Sequence, residues 1–307
     1  MAGAYAGRQA RSKIGAMATR RVVLPPVPDP ILRLGELVTA VVTAPSAWLL
    51  VVLALALALP TGGDAAECAA PRVLANTAIG MRYCVSPAFD ATVAAQVQKI
   101  RADVQAQRRS GKLVVYASTP ISPRGGGDEA VNLEIAASVK ARLEKELGAA
   151  AWVLDPGRYQ MAAVGGKGPG GEEYMVMWTA VLAGDDGLGR DFDLAHFTGP
   201  GDMRAFFGCG RDDVTGCLER WLVTRAATDA RLQRDVADRP ERRAAFVRYY
   251  ALRASSAYSK GAHDEWNIFV KINRKRTLGE QIAMFFDGRP ASPAEMEVEI
   301  SPGYEHR

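Results

Sequence analysis

Between Lys112 and Leu147 the spacing of apolar positions changes character within roughly 35 residues. Leu113–Ser118 reads LVVYAS, a β-branched and aromatic run that predicts a strand. A Gly/Pro loop follows, from Thr119 to Asp128. Then Val131, Ile135, Val139, Leu143 and Leu147 recur at every fourth position, while Lys140, Arg142, Glu144, Lys145 and Glu146 fall elsewhere. That is one apolar stripe on a helix built to lie on a sheet. Asp128 is a suitable N-cap and Gly148 a suitable stop, so both ends of the helix are marked. The stretch reads as a β-loop-α unit.

Upstream, Val93, Val97, Ile100 and Val104 are spaced for a helix over 88–109, and Pro71 to Pro87 reads as coil. Downstream, AWVL at 151–154 predicts a second strand, parallel to the first through a β-α-β crossover. Residues 157–173 read as a glycine-rich loop. YMVMWTAVLA at 174–183 predicts a third strand and the alternating DFDLAHFTGP at 191–200 a fourth, with Asp202 capping a short helix to Phe207. From 215 onward the β signal fades, and helices fit at 215–235, 240–258 and 263–275, with another at 277–286 before an extended, proline-containing tail. The expected fold class is therefore α/β. A small, mostly parallel sheet of about four strands in the first half is packed by helices and followed by a helix-rich C-terminal half. Strand order stays open.

Charge and hydropathy change the picture mainly at the N-terminus. Residues 1–66 hold six of the 38 basic and three of the 34 acidic side chains, leaving 32 against 31 in the body. That balance offers no basic field for nucleic acid. Ala47–Leu59 reads AWLLVVLALALAL, uncharged, with basic residues before it and small residues after it. This is the pattern of a secretory signal cleaved after Ala65 or Ala66; residues 37–59 read instead as an uncleaved anchor if the apolar stretch is extended past Pro45. Met17 is an alternative start. Export to the periplasm or the exterior is expected either way, with membrane contact confined to this segment. The expected organisation is 1–66 leader or anchor, 67–111 disulfide-stapled coil and helix, 112–208 α/β layer, and 209–307 helical half of the same globular domain.

In an exported chain four cysteines point to disulfides. Cys68, Cys84, Cys209 and Cys217 allow three connectivities, of which proximity favours Cys68–Cys84 and Cys209–Cys217. Zinc-type spacing is absent, the acidic turn around Asp185, Asp186, Asp191 and Asp193 lacks an EF-hand pattern, and no metal or cofactor is expected.

Candidate chemistry sits in two stretches. The first is the loop after the opening strand, where Ser118, Thr119, Arg124, Gly125, Gly126 and Gly127 are candidate ligand-binding residues. Ligands of open α/β sheets bind at the carboxyl ends of strands, glycines allow close backbone approach, and an arginine can grip a phosphate or carboxylate. The loop matches no GxGxxG or GxxxxGK[ST] pattern. The second stretch, SKGAHDEWN at 259–267, offers His263, Asp264 and Glu265 as candidate catalytic residues. Glu265 beside Trp266 is placed for partial desolvation, which moves a carboxyl toward the general-acid range. The competing reading is a helix first turn whose carboxylates simply meet the dipole.

Gly261-Ala262-x-x-Glu265, together with Val114-Val115-Tyr116-Ala117-Ser118-Thr119-Pro120, resembles the nucleoside deoxyribosyltransferase-like folds over these two short segments. The resemblance implies a strand-end loop and a helix-borne Glu flanking a nucleoside. The chain departs from that pattern at Ala262, where Thr or Ser is expected, and at Ser259, where Asp is expected. The expectation drawn from all this is a hydrolase or transferase for a small nucleotide- or sugar-like molecule. The alternative is a non-catalytic ligand-binding or protein-interaction module.

Overall fold

A computed structural model describes residues 68–307. The leader at 1–66, including the anchor stretch 37–59 and Met17, lies outside the described residues. Among the described residues no helix is long and apolar enough to cross a membrane.

The chain opens with an antiparallel hairpin, β1 (Val73–Asn76) and β2 (Arg82–Val85), with Val73 opposite Val85. Here the expectation of coil is corrected. The strands are only four residues long and β1 is largely exposed, so the alternation is confined to Met81, Tyr83 and Val85, which enter the core, too short a run to stand out. Helix α1 (Asp90–Arg109) follows, burying Ile100 and Val104.

The main sheet begins with β3 (Leu113–Ser118). Helix α2 (Glu129–Leu147) starts where the Asp128 side chain accepts the Val131 N–H and stops at Gly148, whose φ is +78°. Its stripe of Val131, Ile135, Val139 and Leu143 is buried. Next come β4 (Ala151–Leu154), helix α3 (Gly171–Ala183) and β5 (Leu194–Phe197). Residues 174–183, expected as a strand, therefore form a helix. Met175, Met177, Trp178, Thr179, Val181, Leu182 and Ala183 are all buried there. A helix covered on most sides loses its polar stripe, and its uninterrupted apolar run imitates a buried strand.

Four helices continue the chain: α4 (Pro200–Phe207), α5 (Val214–Ala226), α6 (Pro240–Leu252) and α7 (Lys260–Arg274). Between α5 and α6 a single helical turn at Ala230–Leu232 runs into a π-helical turn at Gln233–Ala237, so the helix expected over 215–235 is broken. Helix α4 begins at Pro200, with Gly199 as cap. Asp202 stands in its first turn and reaches back to the Gly199 N–H at 2.9 Å. The helix expected at 277–286 is instead β6 (Ala283–Phe286), followed by β7 (Arg289–Pro290) and a short α8 (Pro293–Met296).

The sheet order is β4-β3-β5-β6-β7, parallel except for β7. It is a mixed, mostly parallel five-stranded sheet in an α/β fold. Alternation along each strand feeds two cores. Val114 and Tyr116 enter one, with Ile100 of α1, Trp178 of α3 and Phe269 of α7. Val115 and Ala117 enter the other, with Ile135 of α2, Met203 of α4, Leu222 of α5 and Phe246 of α6. From β3 the chain moves first to β4 on one side and later to β5 on the other. The crevice between the carboxyl ends of β3 and β5 is thus the topological switch point, where open α/β sheets bind ligands.

Two disulfides, Cys68–Cys84 and Cys209–Cys217, pair all four cysteines, with Cα separations of 5.5 and 5.7 Å. They are compatible with an oxidising compartment. The first ties residue 68 to β2 across 16 positions. Replacing both of its cysteines with alanine is expected to lower the unfolding free energy by about 2–3 kcal/mol, seen as a lower urea midpoint at unchanged slope. Thiol titration of the unfolded, unreduced parent chain should find no free cysteine.

Candidate active site at the switch point

Ser118 ends β3 and is fully buried. It shares a strand face with Tyr116, and both look toward α7. On α7, Glu265 precedes Phe269 by four positions and Ile272 by seven, so it rides the same stripe as these fully buried residues. That stripe carries the carboxyl under the helix, where Glu265 is 7% exposed. The Ser118 hydroxyl donates to Glu265 Oε2 at 2.5 Å. The Tyr116 hydroxyl faces the same carboxylate and influences its ionisation, yet no acceptor stands in good hydrogen-bonding geometry to it. Around the pair stand Trp178, Phe192 and Phe269, with ring centroids 5.5, 6.3 and 5.8 Å from that of Tyr116.

Burial pushes the Glu265 carboxyl up to about 7. The Ser118 hydrogen bond and the nearby Tyr116 hydroxyl pull the other way, and the neighbouring Asp264 charge adds to the rise. The sign of the pH effect follows. Between pH 4.5 and about 7 the folded chain keeps a proton that the unfolded chain has released, so stability falls as pH rises through this window. At 1.36 kcal/mol per pH unit, Glu265 accounts for about 3 kcal/mol at most. Glu265→Gln has no proton to lose. Its urea midpoint should therefore gain on that of the parent between pH 5 and pH 8, and a constant gap would show that the carboxyl titrates normally.

Other polar groups converge on the same crevice. Thr119 and Thr198 join hydroxyls at 2.7 Å. The Ser118 carbonyl accepts both the Thr198 N–H at 2.9 Å and the Ser256 hydroxyl at 3.1 Å. Beneath β5, His196 Nε2 lies 3.0 Å from Asp202, which also pairs with Arg142. Burial acts to raise the Asp202 carboxyl, but His196, the Gly199 N–H and the Arg142 charge outweigh it and hold the group below its ordinary range.

The remaining candidates are placed as follows. Gly126 and Gly127 press against α6: a Cβ at Gly126 would lie 2.7 Å from the Ala245 carbonyl oxygen, and one at Gly127 would lie 2.6 Å from the Tyr249 ring. Gly125, at φ +91°, completes the turn. These glycines seat the loop on a helix. Arg124 is exposed, and its Nη1 comes within 3.5 Å of the Tyr304 hydroxyl. His263 sets Nε2 2.9 Å from the Ala257 carbonyl and Nδ1 3.0 Å from that of Ser301. Asp264 is fully buried and accepts the N–H groups of Gly303, Tyr304 and Glu305 at 2.7, 2.7 and 3.1 Å. Among the three candidates on α7, only Glu265 bonds to the strand-end residues.

Both helix N-termini at this sheet edge carry carboxylates from the chain itself. Asp128 caps α2 and takes both Arg231 guanidinium nitrogens at 2.7 and 2.9 Å, and Asp287 accepts the Gly201 and Asp202 N–H groups at 2.7 and 3.1 Å. Phosphate is therefore not offered an open N–H cradle at either helix. Among the described residues no group of three or more His, Cys, Asp or Glu could hold a metal ion. Clefts of about 360 and 300 Å³ lie beside β4, one lined by Lys140, Asp155 and Arg158, the other by Lys99, Trp152 and Tyr159; Glu265 lines neither.

Sequence reasoning passed over Tyr116, Thr198 and Ser256. The alternation of LVVYAS does place Tyr116 on the Ser118 face. Nothing local marks Thr198 or Ser256, which enter the crevice through the ordering of strands. Protein-family models, curated proteins and solved structures were all compared with the chain, and none matches it.

Proposed function

We propose that this chain is an exported enzyme, a hydrolase or transferase, that acts on a small, uncharged, hydroxyl-bearing molecule of nucleoside or sugar type. Glu265 serves as its general acid or base. The observation that carries the reading is the Ser118–Glu265 bond at the switch point: a helix-borne carboxyl, removed from water, held at the end of the central strand. A carboxyl poised near 7 gives and takes protons readily at neutral pH. Ser118, Thr119, Thr198 and Ser256 supply exchangeable donors and acceptors for substrate hydroxyls. The chain's own carboxylates at the two helix N-termini favour a neutral ligand over a phosphate. Export is supported by the two disulfides together with the apolar leader pattern.

The test is a thermal-shift screen of the protein against nucleosides, sugars and their phosphorylated forms, followed by turnover assays with each binder. Stabilisation by neutral members, turnover of one of them, and loss of turnover in Glu265→Gln are expected. Binding without turnover in the parent chain would leave a ligand-binding module as the better description.

A further inference from the structure

We infer that the C-terminal segment Ser301–Glu305 is a displaceable strap that closes the crevice holding Glu265 and Ser118, with Asp264 as its latch. The inference rests on the reading of Glu265 given above and adds the control of access to it.

The segment has no helix and pairs with no strand. Side chains of α7 bond its backbone and that of residues 298–300 leading into it. Trp266 Nε1 donates to the Val298 carbonyl at 3.1 Å. Asn267 takes Ile300 at both ends, accepting its N–H at 2.8 Å and donating to its carbonyl at 3.0 Å. His263 meets the Ser301 carbonyl, and the Asp264 carboxylate gathers three consecutive N–H groups. Past the latch, the His306 N–H donates to the Arg82 carbonyl of β2 at 2.7 Å. This is how a groove binds an extended peptide: backbone groups are read by side chains, and a few pockets take residues.

Two close approaches fix the path. A Cβ on Gly303 would lie 1.8 Å from the Lys260 carbonyl oxygen, so the strap lies flat on the first turn of α7. A Cβ on Gly171 would lie 2.2 Å from the Tyr304 ring, so the ring sits directly on the start of α3. Lys260 Nζ stands 5.7 Å from the centroid of that ring, and Arg124 reaches its hydroxyl from the loop after β3. Tyr304 thus bridges α7, which carries Glu265, to the loop that begins just past Ser118. With the strap down, Glu265 is buried, and it lines neither of the two clefts beside β4. A substrate reaches the carboxyl only after the strap lifts. A segment held mainly by side-chain bonds to its backbone and by one ring, without strand pairing, belongs to the part of a fold that opens first.

The test uses the full chain and needs no substrate. A water-soluble carbodiimide with glycinamide tags carboxylic acids that it can reach, and peptide mass spectrometry separates Glu265 from Asp264. Hydrogen exchange at residues 303–305 reports the strap. In the parent chain Glu265 should label slowly. In Tyr304→Ala, faster exchange at 303–305 should accompany labelling of Glu265 raised by about 10-fold or more. A released strap with unchanged labelling overturns the proposal. Should Tyr304→Ala leave exchange unaltered, a chain ending at Ile300 decides: rapid labelling in a folded protein supports the strap, while slow labelling or failure to fold refutes it. Labelling reads access whether or not Glu265 does chemistry, and turnover of Glu265→Gln reads the chemistry alone.

Discussion

Glu265→Gln is expected to lower turnover by about 10²–10⁴-fold while ligand affinity stays within a few-fold, if the proposed role of Glu265 holds. The substitution keeps the shape and the place beside Ser118, and removes the proton. Since burial places the carboxyl near 7, the proposed role predicts a limb there in the parent pH–rate profile. Rate falls above pH 7 if Glu265 donates the proton and below pH 7 if it accepts one. The variant lacks that limb. A favourable first-turn charge would behave differently: its loss costs about 0.3–1 kcal/mol of stability and leaves turnover alone. Parallel turnover and unfolding measurements on one variant separate the two, and turnover within threefold of the parent would remove Glu265 from the mechanism.

Phe269→Ala is expected to destabilise the chain by about 3–5 kcal/mol. Phe269 is fully buried, with its ring 5.8 Å from Tyr116 and 6.2 Å from Phe197, so it joins α7 to the two central strands. Its removal leaves a cavity that β3 and β5, fixed by their pairing, cannot collapse to fill. The measurement is the urea midpoint at constant slope. A loss below about 1 kcal/mol would mean that α7 is not seated on the sheet as described.

The parts of this fold legible in the sequence are those where one element meets one solvent face. Helix α2 shows its stripe because Lys140, Arg142 and Glu144 are only partly buried while Val131, Ile135, Val139 and Leu143 are covered. Both of its ends are marked by Asp128 and Gly148, and the parallel β3–β4 pairing follows from the crossover. Helix α3 was illegible for the opposite reason, since burial on most sides erases the contrast from which period is read. Strand β6, four residues of AMFF, is too short to show a period of either kind. At the candidate site, the desolvation of Glu265 was legible from Trp266, and its stripe with Phe269 and Ile272 accounts for that burial. The role of Asp264 in holding residues 303–305 was not legible, because sequence spacing carries no information on which distant backbone will come to lie across a helix.

Strand β6 also bears on how the protein is made. Leu194 of β5 pairs with Ala283 of β6, and four helices lie between them in the chain. During synthesis β5 therefore keeps one hydrogen-bonding edge open until residues 283–286 have emerged. Pairing across such sequence separations is slow to form, and an apolar strand with an open edge readily recruits another chain. Refolding yield should fall steeply with protein concentration. Chains interrupted before residue 283 should accumulate as aggregates rather than as shortened soluble protein.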